Sequence, residues 1–100
     1  MSAKKLPEDG SSMTKDFQVL NKLGIHARPA ALFVKTANRF ECDVFVEKDG
    51  ERVNGKSIMG LMMLAAGPGT LVTVKASGPD AIDAMAALCD LVATGFGEEE

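Results

Sequence analysis

The stretch DVFVEKDGERVN, residues 43–54, decides how this chain folds. Val44 and Val46 alternate with Asp43, Phe45 and Glu47, the period-two pattern of a strand with one buried face. Lys48-Asp49-Gly50 is a hairpin turn signal, and Arg52-Val53-Asn54 returns as a second short strand. A tight hairpin joins antiparallel strands. The sheet therefore contains at least one antiparallel pair, and every other apolar segment has to be placed against it.

Upstream, Ala30, Phe33, Val34 and Ala37 fall at i, i+3, i+4 and i+7, the buried stripe of an amphipathic helix. Pro29 fits the first turn of that helix, where its missing N–H costs nothing. His26 then stands at the N-cap or just before it. Earlier still, Phe17 and Val19 alternate with Asp16, Gln18 and Leu20 as a strand, which Asn21-Lys22-Leu23-Gly24 breaks. Downstream, Ser57 precedes the apolar run Ile58–Leu64 and is a natural helix N-cap. Gly67-Pro68-Gly69 stops that helix. Residues 70–76 form a β-rich strand with Val72, Val74 and Ala76 on one face. Ser77-Gly78-Pro79-Asp80 opens the last helix, in which Ala81, Ala84, Met85, Leu88 and Val92 recur at helical spacing while Asp83 and Asp90 point away. Gly95 ends it.

The order is βαββαβα, without internal repeats. Four strands with one apolar face each, and three helices with one apolar stripe each, pack most economically as an α+β, two-layer open-faced sandwich. The other sheet face is expected to be solvated. A single domain is expected over residues 15–97, between a flexible tail at 1–14 and an acidic tail at 98–100.

Composition narrows the function. A formal net charge of −3 argues against nucleic acid as the main partner, because phosphate backbones need a basic face. No apolar run approaches the ~20 residues that span a bilayer, and residues 1–13 lack the apolar stretch of a signal peptide. Cys42 and Cys89 lack metal-ligand spacing, so they read as reduced thiols of a cytoplasmic protein. Nothing calls for a cofactor or a metal.

The one histidine lies in GIHARPA, residues 24–30. A helix N-terminus presents N–H groups and a positive dipole end to anions. An imidazole is a competent nucleophile in its neutral form. Arg28 in the first turn opposes the helix dipole by a few tenths to ~1 kcal/mol, a cost that makes sense if an anion visits and the guanidinium pairs with it. From residues alone, a histidine that caps the helix or sits in solvent accounts for the same pattern.

GIHARPA resembles the active-site signature of HPr, the histidine-containing phosphocarrier of the bacterial phosphotransferase system. A second block, Asn54-Gly55-Lys56-Ser57-Ile58-Met59-Gly60-Leu61, is similar to the same family at family spacing, and the likeness runs from about Phe17 to Phe96. The resemblance implies a four-stranded antiparallel sheet with three helices over one face. It implies that His26 is phosphorylated on Nδ1 by Enzyme I at the expense of phosphoenolpyruvate, that Arg28 pairs with the phosphoryl group, and that enzyme IIA domains receive it in sugar uptake. The protein would be a monomeric carrier between enzymes and not itself an enzyme.

The resemblance implies that Ser57 matches the serine phosphorylated in HPr proteins of bacteria with an HPr kinase/phosphorylase, and it adds that kinase and a transcriptional regulator to the expected partners; helix capping alone also explains a serine there. Ile58, Met59, Leu61, Met62, Met63 and Leu64 are too many apolar residues for one buried face, so some should form a docking patch suited to several partners. The resemblance implies that this helix and the start of the first helix form one face for Enzyme I and enzyme IIA domains, with Ala27, Arg28, Ala31, Ile58, Met59 and Met62 as the candidates. Asn21-Lys22-Leu23-Gly24, Leu61-Met62-Met63-Leu64 and Gly95-Phe96-Gly97 with its following acids also resemble the nitrogen-related, regulatory branch of the family. Outside the family, the competing reading is a small interaction module with a structural His26.

Overall fold

A computed structural model describes residues 12–20, 24–64 and 66–97. The hairpin forms as its sequence dictates. Strand β2 (Asp43–Lys48) and strand β3 (Glu51–Asn54) are antiparallel, with Val46 opposite Val53 and Lys48 opposite Glu51 across the turn Asp49-Gly50. Around it lie β1 (Ser12–Gln18), α1 (Ala27–Ala37), α2 (Ile58–Met63), β4 (Leu71–Ser77) and α3 (Ala81–Ala93), closed by a 3-10 turn at Gly95–Gly97. The sheet order is β1-β4-β2-β3 and every neighbouring pair is antiparallel. The expected βαββαβα sandwich is the one observed.

One boundary moves. β1 begins at Ser12, so Ser12, Met13 and Thr14 leave the expected tail and pair with Ser77, Ala76 and Lys75 of β4. An edge strand is held by backbone hydrogen bonds, which polar residues supply as well as apolar ones. The ladder continues past the strand: Val19 N–H donates to the Thr70 carbonyl at 2.8 Å, and Gly69 N–H donates to the Val19 carbonyl at 2.7 Å. The tails expected at 1–11 and 98–100, and the break expected at 21–23, lie outside the described residues.

All the apolar stripes read from periodicity face one core. Val44, Val46, Val72, Val74 and Ala76 of the sheet meet Ala30, Phe33, Val34 and Ala37 of α1, and Ala81, Ala84, Met85, Leu88 and Val92 of α3. Each large apolar side chain so buried is worth about 1.5–3 kcal/mol relative to exposure. The opposite sheet face is polar: Lys75 Nζ lies 3.1 Å from Glu47 Oε2, the Thr73 hydroxyl donates to Asp16 at 2.6 Å, and the Arg52 guanidinium stacks over Phe45. Exposed ion pairs of that kind contribute at most ~1 kcal/mol, so the helical side carries the stability. Burial there also fixes where α1 and α2 start, and those two starts carry the candidate functional residues.

Candidate functional site

His26 is the N-cap of α1. Its backbone is extended (φ −98°, ψ −164°) and its carbonyl accepts the Ala30 N–H at 2.9 Å, but its side chain makes no capping hydrogen bond. His26 therefore caps the helix through its backbone and not through its imidazole. The residue is half-buried, and its Nε2 atom is shielded from solvent. The chain just before it is anchored: the Ile25 side chain enters the core, the Ile25 N–H donates to the Ala66 carbonyl at 2.9 Å, and the His26 N–H donates to the Gly24 carbonyl at 3.1 Å.

The first turn of α1 contains no acidic residue. Pro29 brings no N–H and Ala30 has spent its own on His26, which leaves the N–H groups of Ala27 and Arg28 at the positive end of the helix dipole. Arg28 is exposed and can reach an anion arriving from solvent. A half-buried imidazole, a helix N-terminus and an exposed guanidinium two residues on are a combination able to bind an anion and balance its charge.

Ser57 caps α2 as its sequence predicts. Its Oγ accepts the Gly60 N–H at 2.9 Å, and its own N–H donates to the Asn54 carbonyl at 3.1 Å. Helices α1 and α2 pack against each other. Ala27, Arg28 and Ala31 are exposed on α1, and Ile58, Met59 and Met62 are exposed on α2. Met63 belongs with them: it is 70 % exposed and, with Ile58, Met59 and Met62, lines an apolar hollow. Only Leu61 of α2 is buried, so the apolar excess noted in the sequence does lie on the surface.

Two features go beyond what the sequence shows. Gly24 breaks the strand and opens the GIHARPA motif; in the fold it is also buried and carries the acceptor for His26. Asp80 was a helix opener; it does stand at the N-cap of α3, but its carboxylate accepts the N–H groups of Glu41 and Cys42, each at 2.9 Å. The Glu41 N–H foremost, and then the Cys42 N–H and thiol, hold the Asp80 carboxyl below its ordinary range. Burial, reinforced by its hydrogen bond to Asp80, pushes the Cys42 thiol up to about 11, so this cysteine stays protonated and inert. Among the described residues no group of His, Cys, Asp and Glu is arranged to hold a metal ion, and no helix is long and apolar enough to cross a membrane.

A family model described as the PTS HPr component phosphorylation site matches residues 13–94. The phosphocarrier protein HPr of Neisseria meningitidis serogroup A is 49% identical over 88 residues, which is 88% of this chain and 99% of that protein. A crystal structure of HPr from Thermoanaerobacter tengcongensis superposes with a TM-score of 0.85 at 48% identity, covering 88% of this chain and 99% of that one. Crh of Bacillus subtilis, a catabolite repression protein crystallised as a swapped dimer, gives a TM-score of 0.68 at 54% identity and covers 79% of this chain and 91% of its own.

Proposed function

Because the chain belongs to the HPr family of phosphocarrier proteins of the phosphotransferase system, we propose that His26 takes its phosphoryl group from phospho-Enzyme I and passes it to enzyme IIA domains. One observation carries this reading: a half-exposed histidine with its Nε2 edge buried stands at the N-terminus of α1, beside an exposed arginine. A nucleophile has to reach phosphorus in line with the bond that breaks. The shielded Nε2 cannot do so, which leaves Nδ1. Its lone pair forms the new N–P bond as the bond between phosphorus and the donor on Enzyme I breaks. Arg28 and the free N–H groups of the first turn balance the charge on the phosphoryl oxygens. The reverse step on an acceptor returns the imidazole to its starting form.

In this reading the carrier works in the cytoplasm, and Ala27, Arg28, Ala31, Ile58, Met59 and Met62 form the face that meets its partners. Ser57 is the regulatory site, modified by HPr kinase/phosphorylase. The Oγ–P bond forms as the bond between the γ-phosphorus of ATP and its bridging oxygen breaks, ADP leaves and the hydroxyl proton passes to a base of the kinase; the added charge of about −1.5 to −2 then sits at a helix N-terminus without an acidic first turn. In this reading the carrier acts as a monomer.

The likeness to Crh favours a second reading, a chiefly regulatory protein that acts through Ser57. Incubation with Enzyme I and labelled phosphoenolpyruvate separates the two. The carrier acquires acid-labile label that disappears in His26→Ala; an unlabelled wild type sinks the carrier reading. An HPr kinase with ATP should give acid-stable phosphate that is absent from Ser57→Ala.

A further inference from the structure

We infer that Gly24 is a positioning residue for phosphoryl transfer, through its interlock with the Ala66-Gly67 segment. The inference rests on His26 being the phosphoryl acceptor. Gly24 adopts φ +74°, in the left-handed region that L side chains rarely enter. A Cβ on its backbone would lie 2.5 Å from the Ala66 oxygen and 2.8 Å from the Gly67 Cα. Both obstacles are backbone, so neither can swing aside as a side chain tip does.

The closeness has a purpose visible in the next two residues. With Gly24 pressed against the segment that precedes β4, the Ile25 N–H reaches the Ala66 carbonyl at 2.9 Å. The Ile25 side chain then drops into the core. The chain doubles back enough for the His26 N–H to meet the Gly24 carbonyl at 3.1 Å, and His26 enters α1 with its carbonyl on the Ala30 N–H. No hydrogen bond in this series involves the imidazole ring. They set the backbone from which the ring projects, and so the ring's direction relative to the exposed α1–α2 face. A ring displaced by about 1 Å can still dock with its donor but meets phosphorus out of line, at a cost of up to about 100-fold in rate.

The test is Gly24→Ala, compared with Gly78→Ala. Gly78 has φ +146° and a Cβ there would lie 2.6 Å from the Cys42 Cα, so it is a comparably tight glycine. It follows the last residue of β4, whereas Ala66-Gly67 precedes the first, and roughly 20 Å of strand lies between them. Both variants should lose thermal stability. Per folded molecule, Gly24→Ala should lower kcat for phosphorylation by phospho-Enzyme I by about 10- to 100-fold with its KM within about twofold, while Gly78→Ala keeps the wild-type kcat. An equal kcat for the two variants, or a loss in KM alone, overturns the inference.

Should Gly24→Ala not fold, an ester in place of the Gly24–Ile25 amide removes the donor to Ala66 without adding an atom near it; wild-type kcat in that protein overturns the inference. A wild type that takes no label from phosphoenolpyruvate overturns the reading of His26 and this inference together. A labelled wild type with fully active Gly24 variants overturns the inference alone.

Discussion

The carboxylate of Asp80 accepts the backbone N–H of Cys42 at 2.9 Å, tying the start of α3 to the loop that leads into β2. The same carboxylate takes the Glu41 N–H at 2.9 Å. An aspartate usually spends its oxygen on the first turn of its own helix; this one holds together two segments far apart in sequence.

Asp80→Asn should therefore lower the melting temperature at neutral pH by several degrees. An amide offers one acceptor oxygen, and its NH2 group would face a second N–H. The carboxyl is depressed in the folded state, so its contribution is present above the ordinary aspartate value of 3.8 and is lost as pH falls through the folded value. Melting curves of the two proteins should differ at pH 7 and converge in strong acid. A constant difference at all pH values would contradict the clamp.

Arg28→Ala should separate transfer from folding. The side chain is exposed and sits at the unfavourable end of the helix dipole, so its removal should leave stability within about 0.5 kcal/mol or raise it slightly. Phosphorylation of His26 should slow by about 10- to 100-fold through loss of charge-assisted pairing. Urea melts alongside single-turnover labelling test this, and parallel losses in both would mean that Arg28 is structural.

Ser57 can be probed by what replaces its Oγ. Ser57→Ala removes the acceptor of the Gly60 N–H and should cost about 1 kcal/mol. Ser57→Asp restores an N-cap oxygen and should recover most of that stability. It also adds negative charge beside the exposed Met59 and should weaken a docking partner that is itself acidic. If Ser57→Asp melts like Ser57→Ala, the cap geometry has been misjudged.

Leu61 and Met59 lie on opposite sides of the same short helix, at 0% and 71% exposure. Leu61→Ala should cost about 2–5 kcal/mol by leaving a cavity in the core. Met59→Ala should change stability by less than about 0.5 kcal/mol and raise KM for phospho-Enzyme I. The two measurements should sort these residues into core and contact face, and a destabilised Met59→Ala would place that methionine in the core.

Much of this was legible because period carries burial. Val44 with Val46, Phe33 with Val34, and Met85 with Leu88 announced their element and its inner face together. The start of β1 was not legible, since the pairing of Ser12 with Ser77 uses backbone groups that every residue has. Asp80 before a helix has the same signature whether it caps that helix or reaches across to Cys42. Gly24 opens a recognisable motif, but its positive φ and its approach to the Ala66 backbone exist only in the fold. His26 and Arg28 suggested an anion site because anion binding at a helix start is local, but the same residues fit a capping or solvent-exposed histidine, and the phosphoryl reading came from the family resemblance. Met63 became visible as surface only once Leu61 was seen to be the sole residue of α2 facing inward.

The sheet order β1-β4-β2-β3 also sets a timetable for biosynthesis. Of the four strands, β2 and β3 are neighbours in synthesis as well as in space and can close as a hairpin while translation continues. β1 emerges first and waits without a strand partner, because its neighbour β4 is the last strand made. At about 5–20 residues per second, residues 71–77 are made about 1–5 seconds after the hairpin, and until then the apolar face of the hairpin has no central strand beside it. The nascent hairpin therefore keeps an open sheet edge until β4 is made, and the same late strand that joins β1 to β2 ends that exposure.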